Sequence, residues 1–343
     1  MKMQQKVHYY DNRVLRFNSV QIVEGFAVAG PKENDGRFRG CFDVALSDDM
    51  FGQQTFEKAE RKMFECALNG VIANANLDER SVGAICGGDL LNQIISASFS
   101  ARKHHAGFLG LYNACATFCE SLIVGGTLVQ CGVNNVIAIV GSHFSTAERQ
   151  YRFPLELGVL RSPVTQWTAT GVGATMLAAG DSNSHFPALW LNSAMIGRVV
   201  DWGILDANNM GAAMAPAACD TICAYLSATE TTPAQFDAIF TGDLGKLGSE
   251  ILYDLALQNG YDLSAVHKDC GALLYYDEQQ TYQGGSGAAC SALVFNGYIL
   301  HQLRKRKWRK VLLVATGALM SPTTSFQQDS IPAIAHLVEV EYK

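Results

Sequence analysis

From Thr55 onward, Phe56, Met63, Phe64, Ala67, Leu68, Val71 and Ile72 recur at the spacing of one helix face, with Glu57, Lys58, Arg61 and Lys62 opposite. An amphipathic helix is predicted there. Val82 to Cys86 is a short apolar run that ends in Gly87-Gly88, a pattern that predicts a buried strand followed by a loop. Asn113 to Gln130 is small and apolar on most faces, which predicts a buried helix, and Val136 to Val140 predicts a second strand. The alternation of helix and strand implies a covered parallel sheet.

The second part of the chain repeats this plan. Phe236 to Phe240 predicts a strand before Thr241-Gly242-Asp243, Leu247 to Gln258 a helix, Gly287 to Arg304 another, and Val311 to Ala315 a strand. The letters agree as well. Ala84-Ile-Cys-Gly-Gly-Asp-Leu90 matches Ala238-Ile-Phe-Thr-Gly-Asp-Leu244, and Asn135 to Val140 is similar to Lys310 to Ala315. A duplicated α/β unit is therefore expected, with one half over residues 1–185 and the other over 186–343. Aligning the later strands places Cys115 opposite Cys290, and the second copy is preceded by the glycine-rich loop Gln283 to Gly287.

Composition narrows the class without naming a function. With 343 residues, 48% hydrophobic and 17% charged, the chain can bury a large core. A net charge of −6 gives no general attraction to nucleic acid, so no nucleic-acid partner is expected. The ten cysteines lack the spacing of a disulfide scaffold, which suggests a reducing compartment. Cys115/Cys119 and Cys219/Cys223 are four apart without converging histidines, so neither a metal site nor a cofactor is expected. Met1 to Asp11 is polar, and no apolar run reaches the roughly 18 residues of a membrane span, so a soluble protein is expected. The charge block Arg304 to Lys310 joins a predicted helix to a strand and suits a solvated connector, with a membrane contact as the alternative.

Three groups of residues are candidates for chemistry. Cys115 stands at the expected start of a helix, where unpaired N–H groups and the macrodipole lower a thiol pKa; a small inert core residue is the alternative. His143 follows the strand ending at Val140, a position for ligand-binding loops, or else it bonds a backbone carbonyl. Arg149, Arg152 and Arg161 offer guanidinium forks to an anion, or pair with Glu148 and Glu156 at the surface. His104 and His105, beside Arg102 and Lys103, suit a surface or a dimer interface.

Duplicated α/β halves with a cysteine before this helix resemble the thiolase superfamily, including its ketoacyl synthase III type. The resemblance implies a five-layer αβαβα fold, a homodimer, and Cys115 at the position that condensing enzymes acylate. The small-residue segment between Gly107 and Thr127 suits pairing across a two-fold axis. The expected histidine and its partner in the second half are missing: Thr241-Gly242-Asp243 and Gly284-Gly285-Ser286 stand there. Losing one oxyanion donor typically costs about 10²–10³ in rate, so replacing both argues against condensation.

The segments Gly110 to Cys115, Gly141 to Glu156 and Gln166 to Gly171 resemble, more narrowly, a sporulation family of that superfamily. This resemblance implies a pseudo-enzyme that binds dipicolinic acid (pyridine-2,6-dicarboxylate) or its calcium chelate. It also implies integral membrane partners, uptake of the acid into the forespore, and a peripheral position at the inner membrane. On this reading Cys115, His143, Asp243 and Ser286 line the pocket, Arg149 and Arg152 contribute charge, and Asp243 faces calcium or a protonated group. The competing reading is an acyltransferase that uses Cys115 with His143 as its base.

Overall fold

The computed structural model describes residues 12–151, 161–180 and 188–343. The first half contributes five main strands: β1 (Val20–Ala29), β2 (Ala84–Gly88), β3 (Gly107–Gly110), β4 (Val136–Ser142) and β5 (Gly171–Ala179). The second contributes β6 (Leu189–Met195), β7 (Ala238–Thr241), β8 (His267–Asp269), β9 (Lys310–Ala318) and β10 (Ala333–Tyr342). The first set runs in the order β3-β2-β4-β5-β1 and the second in the order β8-β7-β9-β10-β6. The senses repeat too. In each half the first three strands are parallel, and the last two are antiparallel to their neighbours. The two sets meet where Gln21 and Ile22 of β1 pair antiparallel with Trp190 and Leu189 of β6.

The expectation of a parallel sheet is thus corrected to a mixed one. The stretches that supply β1, β5, β6 and β10 are not flanked by the helix-and-loop signals that mark a βαβ crossover. Gly87 and Gly88 are also part of β2 rather than a loop after it. A Cβ on Gly87 would lie 1.6 Å from the Ile139 carbonyl oxygen, so only glycine lets β2 and β4 approach there.

Helices complete five layers. Helix α1 (Phe56–Asn74), capped by the Thr55 side chain, and α2 (Ile95–Ala101) cover the outer face of the first sheet through Met63, Phe64, Leu68 and Val71. On the outer face of the second lie α5 (Met210–Ala228) and α6 (Gly245–Gln258). Between the sheets lie α3 (Thr117–Gln130) and α7 (Ala288–Val294), with α4 (Phe144–Tyr151) at the end of β4. Helix α3 touches both sheets at close range. A side chain at Gly125 would meet Leu177 of β5, and one at Gly126 would meet Leu191 of β6. Since most of α3 is enclosed, the edge strand β3 and the exposed Tyr112 after it are the accessible parts of the Gly107 to Thr127 segment that suit the expected two-fold pairing.

The helix starts also revise the internal alignment. Helices α3 and α7 begin at Thr117 and Ala288, an offset of 171 residues that places Cys115 opposite Ser286. Cys290 instead sits inside α7, where its thiol donates to the Gly242 carbonyl at 3.4 Å.

The halves are tied by Glu33, a buried carboxyl that accepts from the Thr170 amide at 3.1 Å and from the Tyr275 hydroxyl. Burial raises its pKa to about 7, against hydrogen bonds that lower it. The native state therefore binds this proton more tightly than the unfolded chain. The associated stability is full below about pH 4.5 and lost as pH rises through about 7, on the order of 3 kcal/mol in all. Glu33→Gln should flatten the decline in thermal stability between pH 5 and pH 8, measured by circular dichroism melts. An unchanged slope would show that Glu33 does not carry it.

Candidate functional site

Strand β3 leads into Leu111-Tyr-Asn-Ala-Cys115, a tight turn in which Ala114 takes a left-handed φ of 49°. Thr117 fixes the turn by donating its hydroxyl to the Ala114 carbonyl at 2.7 Å and accepting the Asn113 amide at 2.9 Å. Holding a non-glycine residue there costs of order 1 kcal/mol, and its effect is to place Cys115 just ahead of α3. Ser286 arrives from the other half. Gly285-Ser286 pairs as a short parallel strand with Trp167-Thr168, and Gly287, with φ of 94°, turns the chain into α7. Cys115 Sγ lies 3.8 Å from Ser286 Oγ, so the starts of the two enclosed helices converge.

Behind this pair stands Asp243, almost fully buried after β7. Its Oδ2 accepts from Ser286 Oγ at 3.0 Å and from the Gly287 amide at 3.2 Å, and its Oδ1 accepts from Thr316 Oγ1 at 2.7 Å. Burial raises the Asp243 pKa. Cys115 responds in the same direction. Desolvation first, and then the neighbouring Asp243 charge, push its thiol well above the ordinary cysteine value. The expectation that the start of α3 lowers this pKa is corrected: burial of the thiol, with the Asp243 charge beside it, outweighs the helix terminus.

Cys115 and Ser286 open onto a cavity of roughly 450 Å³, its open mouth included. Other lining residues are Tyr112, Glu148, Tyr151, Thr168 and Gly287, with Leu90, Met210 and Met320 as apolar walls. The Tyr112 and Tyr151 hydroxyls are 2.5 Å apart, and Tyr151 donates to the Leu90 carbonyl at 2.6 Å. Glu148 accepts from Thr168 Oγ1 at 3.0 Å. No lysine or arginine is among the described residues that line the space.

The sequence candidates separate here. Cys115 and Ser286 line the cavity, whereas Asp243 sits behind them with its oxygens committed and does not face it. His143 is not in the lining either. Its Nε2–H donates to the Asp49 carbonyl at 2.8 Å and its Nδ1 accepts the Ser145 amide at 3.1 Å, a neutral tautomer that agrees with a pKa lowered by burial. The backbone-bonding alternative for His143 is therefore the one the fold adopts, and a base for Cys115 is not found there. Arg149 is exposed and lies 3.4 Å from Glu57 on α1, away from the lining. Arg152 falls outside the described residues. Arg161 bonds the Gln166 carbonyl and reaches within 4.0 Å of Glu148.

Sequence reasoning missed Glu148 as a lining group, treating it only as an arginine partner, and missed Tyr112, Tyr151 and Thr316. The adjacency of Tyr112 to Cys115 was the one available signal. The others are assembled from separate strands and helices.

A family model described as stage V sporulation protein AD (SpoVAD) matches residues 11–341. The chain belongs to the stage V sporulation protein AD family. Within it, stage V sporulation protein AD of Bacillus subtilis (strain 168) is 40% identical over 314 residues, which is 91% of each chain. Family membership settles the sporulation assignment drawn from the three motif segments. Among solved structures, Xanthomonas campestris OleA with bound lauric acid and lauroyl-CoA aligns over 95% of this chain and 99% of that one, with a TM-score of 0.60 and 13% identity. Cerulenin-bound OleA from the same organism aligns over 95% and 98%, with a TM-score of 0.61 and 13% identity. This likeness establishes a thiolase-like α/β fold for the family member in hand. Among its described residues, no helix is long and apolar enough to cross a membrane.

Replacing Asp243 with asparagine removes the charge beside the thiol. Asp243→Asn should speed alkylation of Cys115 by iodoacetamide at pH 8 by about tenfold or more, since each pKa unit is a factor of ten in thiolate. Mass spectrometry of the Cys115 peptide reads the rate. No acceleration in a folded variant would show that Asp243 does not hold the thiol protonated.

Proposed function

We propose that this protein is a non-catalytic, thiolase-fold member of the sporulation machinery that binds dipicolinic acid as its calcium chelate in the Cys115 cavity. In this reading it supports uptake of the acid into the forespore together with integral membrane partners, as a peripheral homodimer at the inner membrane. The observation that carries it is a cavity kept at the old nucleophile position while the nucleophile is held protonated beside Asp243. A thiol in that state suits recognition and not acyl transfer.

The lining favours the chelate over the free acid. A free dianion would meet the Glu148 carboxylate, and Arg161, 4.0 Å from that carboxylate, is not among the described residues that line the cavity. Calcium in the chelate keeps coordination positions open to oxygen, and Glu148, Thr168, Ser286 and the two tyrosines offer such atoms. The edge strand β3, with exposed Leu109, and the exposed Tyr112 that follows it are the surface proposed for the homodimer. The acyltransferase alternative finds a fold precedent in OleA but lacks a base beside Cys115, because both His143 nitrogens are already bonded.

Isothermal titration of dipicolinic acid and of its calcium chelate tests the reading. The chelate should bind the wild-type protein at least about tenfold more tightly than the free acid. Cys115→Ala should leave its affinity within about threefold, and Glu148→Gln should weaken it about tenfold, the worth of one charge-assisted contact. Absence of heat with both forms would sink the proposal, and a covalent acyl adduct on Cys115 after incubation with acyl-CoA would overturn its non-catalytic part.

A further inference from the structure

The tertiary structure builds a basic groove that no single stretch of sequence displays. Lys58, Arg61 and Lys62 project from α1, and Arg102 and Lys103 follow the end of α2. Together with Gln53 and Glu65 they line a groove of roughly 780 Å³, its open mouth included. Five cations thus face one acid in a chain whose net charge is −6. Glu65 is engaged by Lys103 at 2.8 Å. The two guanidiniums share one ring, with Arg61 at 4.5 Å and Arg102 at 4.7 Å from the Phe99 centroid. Lys62 is held over Phe51 at 4.3 Å and donates to the Phe51 carbonyl at 2.8 Å. Arg61 Nε is buried without a hydrogen-bond partner. Like charges are therefore kept together by aromatic rings, with less acid than is needed to neutralise them.

The basic run Arg304 to Lys310, prominent in sequence, is treated differently by the fold. Arg304 reaches Glu24 at 2.6 Å, Arg309 reaches Glu341 at 3.5 Å and Lys310 reaches Glu339 at 3.0 Å. Three of its six cations are thus paired with acids of β1 and β10.

We propose that the groove between α1 and α2 is the surface through which this protein docks on anionic phospholipid. Phosphate is the anion that clustered arginine and lysine recognise best. Sites for small soluble phosphates usually add backbone N–H donors from a helix start or glycine loop, whereas the cations of this lining are long side chains spread over the first two turns of α1 and the residues after α2. Flexible stems over an open face suit headgroups spread across a membrane plane, each cation adding about 1 kcal/mol near the surface. The inference deepens the peripheral position in the proposed function and is independent of the cavity.

Flotation of the full chain with vesicles tests it. Wild-type protein should float with phosphatidylcholine vesicles containing 30% phosphatidylglycerol, stay behind with pure phosphatidylcholine, and be released by about 0.5 M salt as screening shortens. The triple variant Arg61→Glu, Lys62→Glu and Arg102→Glu should lose about tenfold or more in partitioning, and Lys58→Gln with Lys62→Gln a smaller part. Lys305→Glu with Lys307→Glu should float like wild type. Calorimetry with the calcium chelate, unchanged in the groove variants, separates failure here from failure of the cavity reading. Equal flotation of the triple variant and wild type, equal flotation on neutral vesicles, or binding of inorganic pyrophosphate or duplex DNA without flotation on anionic vesicles would each overturn the proposal.

Discussion

The two halves of one sheet in this protein share a layer of helices, and the site follows from that sharing. Helix α3 must touch β5 in one half and β6 in the other, so Gly125 and Gly126 face different halves of the sheet with little room for side chains. Helix α7 opens with Ala288 and Ala289, both fully buried. Packing at that density leaves the starts of the two helices close together, which is why Cys115 and Ser286 meet although 171 residues separate them.

That meeting point is buried, and burial decides its chemistry. A helix start favours a thiolate, but the stabilisation is modest when set against burying a charge beside another carboxylate. Asp243 occupies the space behind the thiol, satisfied by Ser286, Gly287 and Thr316. Its counterpart in the first half, by the matching Ala84 and Ala238 segments, is Asp89, which is also buried and bonds the Leu91 and Ala97 amides. The duplicated fold thus keeps a carboxylate at equivalent strand ends, once to fix a turn into a helix and once beside the cysteine.

Charge outside the cavity follows a similar rule of placement over composition. The acidic chain concentrates five cations between α1 and α2, while three of the six cations in its most basic stretch of sequence are paired with acids of β1 and β10. A linear count of charges ranks these two regions in the reverse order. Only the pairing partners, supplied by other strands, reverse it.

The sequence by itself determined the duplication, the buried strands at Ala84 and Ala238, the helix after Thr55 and the position of Cys115, because periodicity and repeated letters are local properties. The antiparallel strands β1, β5, β6 and β10 were decided by long-range pairing, which local periodicity does not encode. Only the tertiary structure turned His143 to the Asp49 carbonyl, brought Glu148 and Tyr151 to the cavity, and placed Asp243 behind it. The physical reason is that desolvation and hydrogen-bond partners set what a titratable side chain does, and both are properties of the folded neighbourhood.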